Sequence, residues 1–281
     1  MKEKPIKISK KLKLGLALSG GGGLGVAHIG AIKAFEELGV SFDYVAGTSA
    51  GSMVGALYAS GMSSEQMLEI AENLKVSDIR SSMFILKPSS AETIEKLMNK
   101  LFGKELVFSE LKKPLTIVST DMKTGREIHL NSGSVAKAVS ASCAVPGIFK
   151  PVIYNDMHLV DGGLKNNLPT DVVRQMGANV VIAVELNFSR GFGTEKLGML
   201  DILKSSVGIM MESSVESKLA LADIVIQPDM RAFAKTNLKR LEERIDLGYQ
   251  SVMASKSELL EIFSSKPDKQ KVKYAKKIQN K

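Results

Sequence analysis

The sequence predicts an α/β fold in which a mostly parallel sheet is covered by helices on both faces. Three observations carry this. Short apolar runs of strand length alternate along the chain with segments of helical period. The strongest run, in residues 180–186, is continuously apolar from Val180 to Val184 rather than alternating, as a strand buried on both faces is. Two of the runs lead straight into glycine- and serine-rich turns that open helices. With 281 residues and 44% hydrophobic types, the chain suits one large domain with a sizeable core.

Leu14–Leu18 is the first strand, and Ser19-Gly20-Gly21-Gly22-Gly23-Leu24-Gly25 follows it. Residues 26–38 have helical spacing and stop at Gly39. Residues 44–46 form a second short strand that enters Gly47-Thr48-Ser49-Ala50-Gly51, and a helix of small residues continues to Ser60. Ser63-x-x-Gln66 is a capping box for a helix reaching about Leu74. Residues 79–88 are apolar without a period and are read as a lid or membrane-touching segment. A helix is expected over 91–101, and strands over 115–119 and Glu127–Leu130, joined through Lys123-Thr124-Gly125. A short helix over 134–142 breaks before Pro146-Gly147, and Val160 leads into Asp161-Gly162-Gly163. Residues 199–221 read as one helix with Leu203, Val207, Met210, Met211 and Val215 on one face, a core stripe able also to shape an acyl channel. Ile224–Ile226 is the last strand, and 237–263 reads as one long terminal helix.

The 38 Lys and Arg against 30 Asp and Glu give a net charge of +8, which by itself suggests an anionic partner. Its distribution points elsewhere. Residues 1–13 carry +5, residues 266–281 carry +6, and the body, 14–265, carries −3. A single domain over 14–265 between two lysine-rich tails is therefore expected, without a basic groove for nucleic acid. The single cysteine, Cys143, fits a reducing compartment and a cytoplasmic location. No run approaches the roughly 18 apolar residues of a membrane span. The lysine-rich start before Leu14–Leu18 imitates a signal peptide, but five apolar residues running into glycines read better as a buried strand.

Gly47-Thr48-Ser49-Ala50-Gly51 is G-x-S-x-G between strand and helix, the context of a nucleophile elbow. Such a turn lifts the Ser49 hydroxyl above the sheet edge and aims a helix N-terminus at the reacting centre. The alternative is an ordinary N-cap, with the hydroxyl bonded to the first helical N–H groups. Gly20-x-Gly22-x-x-Gly25 has the spacing of a dinucleotide-binding turn. That use needs an acidic residue at the end of the second strand, whereas Asp43 precedes the strand. The competing use is an oxyanion hole made of successive backbone N–H groups. A hydroxyl nucleophile needs a base. Of His28, His129 and His158, only His158, three residues before Asp161, is a triad candidate. Asp161, at a strand end before Gly162 and Gly163, is the better one, although an Asp-Gly turn is common.

Together and in this order, the three motifs are specific. With His28-Ile29-Gly30, the segment from Ala141 to Pro151 (Pro146, Gly147, Phe149), and Leu164, Asn166, Asn167 and Pro169, the chain resembles the patatin-like phospholipase family over about 14–188. The resemblance implies a three-layer α/β/α sandwich of modified α/β-hydrolase type. It implies a Ser49–Asp161 dyad without histidine, and an acyl-enzyme on Ser49. The elbow is Gly47, Thr48, Ala50 and Gly51; the oxyanion hole is Gly20, Gly21, Gly22, Gly23 and Gly25; the D-G-G motif continues with Gly162 and Gly163. It implies lipid or lysolipid esters as substrates, no cofactor and no metal. Many members carry Arg or Lys at the position of Leu24, so neutral glycerides and simple esters join phospholipids as expected substrates. The lysine tails are expected to touch an anionic membrane. A soluble Ser49–His158 carboxylesterase and a non-catalytic acyl-chain-binding regulator are the competing readings.

Overall fold

Strand β1 (Leu14–Leu18) lies inside an eight-stranded sheet, where it pairs in parallel with β2 (Tyr44–Thr48) and β7 (Val180–Val184). The computed structural model describes residues 8–9, 11–73, 90–187, 198–233 and 240–264. Strand β3 (Leu115–Asp121) extends the parallel set beside β2, and β8 (Ile224–Ile226) extends it beyond β7. On the β3 side the sheet reverses direction: β4 (Glu127–Leu130) and β6 (Met157–Asp161) pair antiparallel with β3, and β5 (Val152–Tyr154) with β6. The spatial order is β5-β6-β3-β2-β1-β7-β8, with β4 beside β3. This is the expected α/β architecture.

The two faces differ in side-chain size. Because neighbouring residues of a strand point to opposite faces, Leu14, Leu16 and Leu18 of β1 and Val180, Ile182 and Val184 of β7 line the thick side. That side holds α1 (Ala27–Glu37), α2 (Ala50–Ser60), α3 (Ser64–Asn73), α4 (Glu92–Phe102) and α5 (Val135–Ser142). Ala17, Val181 and Ala183 face the thin side with Val172 and Val173 of α6 (Thr170–Gln175). There the helix lies close: a methyl group at Gly15 would fall 1.9 Å from Val173 Cγ1.

The capping box forms as expected: the Ser63 N–H donates to Gln66 Oε1 at 3.0 Å, and the Gln66 N–H donates to Ser63 Oγ at 3.3 Å. Two expected helices are each divided. Residues 199–221 form α7 (Met199–Ser213) and the short α8 (Glu216–Leu219). The break is at Ser214, whose hydroxyl lies 3.2 Å from the Gly163 carbonyl and accepts the Asn167 N–H at 3.0 Å, tying this helix end to the D-G-G segment. Val207 and Val215 are buried as expected, but Met210 is exposed, as are Ile202 and Ile209. The terminal helix, within the described residues, is α9 (Leu241–Ala254) and α10 (Lys256–Ser264), parted at Ser255. The aperiodic 79–88 segment and the 266–281 tail lie outside the described residues.

Helix α9 crosses α1 with almost no side chain between them. A methyl group at Gly30 would sit 1.8 Å from the Ile245 carbonyl oxygen, and one at Gly248 would sit 2.0 Å from that of Ala27. Only glycine at both positions allows this backbone contact.

Candidate active site

The register of β3 sets the site. Thr48, the last residue of β2, lies opposite Val118, and Asp161, the last of β6, lies opposite Ser119. The ends of a parallel and an antiparallel neighbour thus meet at consecutive residues of one strand. The Val118 carbonyl is a shared anchor. It accepts the Ser142 hydroxyl at 2.6 Å, and a methyl group at Gly162 would lie 2.2 Å from its oxygen.

Ser49 occupies the turn between β2 and α2 with φ 50° and ψ −123°, one of few non-glycine residues with positive φ. Such backbone holds about 1–3 kcal/mol of strain. Its N–H donates to Ser142 Oγ at 2.8 Å, and its carbonyl accepts the Ser52 N–H at 2.8 Å and the Ser52 hydroxyl at 2.6 Å. The Ser49 hydroxyl makes no capping bond to the helix, unlike an ordinary N-cap serine. Space explains the small neighbours. A methyl group at Gly47 would lie 2.5 Å from the Gly51 oxygen, and one at Gly51 would lie 2.3 Å from the Leu18 oxygen. Thr48 Oγ1 donates to the Asn166 carbonyl, and Ala50 fills the space beside Gly25.

The glycine loop lies against this turn. A methyl group at Gly20 would fall 3.1 Å from Ser49 Cβ and 2.3 Å from Asn167 Oδ1. One at Gly163 would fall 2.8 Å from the same Asn167 oxygen and 3.1 Å from Asp161 Oδ1. Gly20, Ser49, Asn167, Gly163 and Asp161 therefore surround one small volume. Asp161 is fully buried, and its Oδ1 accepts the Gly163 N–H at 2.8 Å. Cys143 joins the group: its sulfur is 4.0 Å from Ser52 Oγ and interacts with the Ser49 hydroxyl and the Asp161 carboxylate. Burial first, and the Asp161 charge second, push the thiol pKa up.

Not all five loop glycines have the same standing. The Gly20 N–H is donated to the Asn167 carbonyl at 3.1 Å, so Gly20 supplies space rather than a donor toward Ser49. Gly25 is buried in the 3-10 turn Gly22–Val26 and packs on Ala50. In that turn the Leu24 N–H bonds back to the Gly21 carbonyl, while the Gly22 and Gly23 N–H groups precede the first bond of the turn. The loop carbonyls are held from outside. His28 Nε2 lies 2.8 Å from the Ser19 oxygen, and Asn187 Nδ2 donates to Gly20 O at 2.7 Å. Buried Arg244 of α9 donates from Nη1 to Gly23 O at 2.9 Å.

The histidines are placed elsewhere. His28 is buried beside Ser19 behind the loop, and His129 pairs with Glu127 at 2.7 Å. His158 is on β6 three residues before Asp161, and strand alternation puts its side chain on the opposite sheet face. Asp43 accepts the Leu14 N–H at 2.9 Å and pairs with Lys13. It therefore caps the far end of β1, away from the glycine loop, which removes the acid a dinucleotide site requires.

His28 has a consequence for stability. Burial lowers its pKa from 6.5 to about 4, opposed by the bond to Ser19. The unfolded chain takes up this proton below pH 6.5 and the folded chain resists it until about pH 4. This group's share of stability is therefore complete above pH 6.5 and lost as pH falls toward 4, by about 3 kcal/mol in all. Urea titrations of wild type and His28→Gln across this range are expected to show the acid slope weakened in the variant. Equal slopes would contradict the assignment.

Nothing in the sequence marks Asn187, Ser142 or Arg244 individually as site residues, and Asn167 stands there only as part of the family resemblance, without a role. The one local signal is Gly248, a glycine inside a helical pattern, which marks a close approach of α9.

Comparison with known proteins shows the family to which the chain belongs. The patatin-like phospholipase family profile matches residues 16–174. An uncharacterized NTE family protein of Mycobacterium tuberculosis is 32% identical over 271 residues, covering 86% of this chain and 46% of the relative. Mouse (Mus musculus) patatin-like phospholipase domain-containing protein 6 is 28% identical, covering 84% of this chain and 20% of that protein. The chain thus spans half or less of the length of these relatives. Among solved structures, VipD from Legionella pneumophila superposes with a TM-score of 0.54 at 17% identity, covering 94% of this chain and 71% of VipD. The type III effector ExoU superposes with a TM-score of 0.51 at 15% identity, covering 93% of this chain and 55% of ExoU. The family profile spans all three motifs and both strand ends that meet on β3, and on that ground the chain belongs to the patatin-like phospholipase family.

Proposed function

We propose that the protein is a serine hydrolase of lipid or lysolipid carboxylic esters. Ser49 Oγ attacks the ester carbonyl carbon as its proton passes to the Asp161 carboxylate. The oxygen that becomes negative faces the N–H groups of Gly21, Gly22 and Gly23. Collapse of the tetrahedral intermediate breaks the bond to the alcohol, which leaves with the proton from Asp161. Water, deprotonated by the same carboxylate, then attacks the acyl-Ser49 ester and releases the fatty acid. The observation that supports this reading is Ser49, held at positive φ with its hydroxyl uncommitted to the helix, its Cβ against Gly20 and the Cys143 thiol shared with Asp161. A carboxylate is a weak base for an alcohol. A dry site and loop donors, each worth about 3–4 kcal/mol when removed, supply much of the rest.

The test is a fluorophosphonate probe together with a panel of diacyl and lysophospholipids, neutral glycerides and short soluble esters. Wild type should be labelled and should hydrolyse at least one lipid class, and Ser49→Ala should do neither. A wild-type protein that takes no label and cuts no ester supports the acyl-binding regulator instead.

Helix α7 supports an action at lipid surfaces. Its exposed Ile202, Ile209 and Met210 stand on the helix whose Met211 Cγ lies 3.1 Å from where a Gly163 methyl group would be. Replacing Ile202 and Ile209 together by Ser is expected to lower hydrolysis of anionic vesicles by about fivefold or more, from the apolar area withdrawn from lipid. Turnover of a soluble butyrate ester should be unchanged. An equal effect on both substrates would count against surface docking. The lysine tails add an electrostatic contribution of about 1 kcal/mol per lysine near an anionic surface. Vesicle binding insensitive to salt would remove that contribution.

A further inference from the structure

The backbone from Gly20 to Gly23 is four consecutive glycines, the most flexible sequence available to a loop that must hold donors still. Its shape depends on groups that grip it from outside. His28 lies on the Ser19 carbonyl, Asn167 on the Gly20 N–H, Asn187 on the Gly20 carbonyl, and Arg244 on the Gly23 carbonyl. Arg244 differs from the others. It comes from α9, 221 residues away in sequence and outside the matched span 16–174. It is also 1% exposed, and the largest fully buried side chain among the described residues. A buried guanidinium is costly unless its donors are used, and a bond from a charged donor is about twice as strong as a neutral one.

The support behind Arg244 is rigid. Gly248 and Gly30 bring α9 and α1 into backbone contact, and α1 begins directly after the loop. The Phe233 ring packs on the guanidinium, with Cζ 5.1 Å from the ring centroid, and holds Arg240 at 4.6 Å as well. A positive charge behind a loop that receives a developing negative oxygen also favours that charge.

We infer that Arg244 is a positioning residue for the glycine loop, which makes the C-terminal helix α9 part of the machinery that stabilises the transition state. This rests on the hydrolase reading for its kinetic consequence, and on the geometry alone for its structural one.

The experiment compares wild type, Arg244→Met and Arg244→Lys by steady-state kinetics on a soluble ester, thermal melting, and hydrogen exchange of peptides covering residues 14–30. In Arg244→Met, loop amide exchange should rise at least tenfold while β7 amides stay protected. Its kcat should fall at least tenfold with KM within twofold, because the loop acts on the transition state. Arg244→Lys should recover part of both. Unchanged loop exchange in a folded Arg244→Met overturns the inference, as does a raised KM with unchanged kcat. If Arg244→Met does not fold, Arg244→Lys decides. Folded with faster loop exchange and reduced kcat, it supports the role; folded with native values, or unfolded, it overturns it. A wild type without esterase activity, but with the exchange pattern as expected, would defeat the hydrolase reading and leave the positioning role standing.

Discussion

Asp161→Asn is expected to lower kcat on any ester substrate by about 10²–10⁴-fold, the range a general base contributes. The substitution is nearly isosteric. Asn keeps an oxygen that can accept the Gly163 N–H, so the turn should hold. What is lost is the ability to take the Ser49 proton. His158→Ala, on the opposite face of β6, should stay within about threefold of wild type, as a substitution away from the reacting atoms does. Rate assays of both variants, with melting curves to confirm folding, separate the dyad from a Ser–His pair. Loss of activity in His158→Ala with retention in Asp161→Asn would reverse the assignment.

Gly248→Ala is expected to destabilise the protein by more than about 3 kcal/mol, lowering Tm by about 6–12 °C for a domain of this size. Two effects oppose each other. In a free helix, alanine for glycine gains about 1 kcal/mol. Here the added methyl group would stand 2.0 Å from the Ala27 carbonyl oxygen, with no flexible side chain to yield. The clash outweighs the propensity, and α9 must withdraw from α1. Since α9 carries Arg244, activity should fall as well, before global unfolding. A variant that melts at or above the wild-type temperature would mean that the helix crossing can widen freely.

The parts legible in the sequence are those whose geometry is local. A strand, a tight turn and a helix within a dozen residues demand glycines at set spacings. The glycine loop, the Ser49 turn and the Asp161-Gly162-Gly163 segment announce themselves in this way, and so does the Ser63–Gln66 cap. What the sequence hides is assembled across long separations. Nothing near Asn187 or Arg244 in the chain says that their side chains end on Gly20 and Gly23. The helix breaks at Ser214 and Ser255 carry neither Gly nor Pro, and at Ser214 the hydroxyl accepts the N–H of the distant Asn167. The outward turn of Met210 is likewise a tertiary outcome, since it sits at the margin of the stripe set by Val207 and Val215.

The lone thiol of Cys143 gives the protein a built-in gauge. It is buried against Ser49, Ser52 and Asp161, and its raised pKa keeps it protonated at neutral pH. A thiol reagent can reach it only in molecules whose site has opened, so labelling follows the opening equilibrium rather than surface chemistry. Each tenfold slowing of labelling, relative to unfolded protein, then corresponds to about 1.4 kcal/mol of opening free energy. One residue in the chain therefore reports the rigidity of the pocket continuously, without a substrate and without an introduced label.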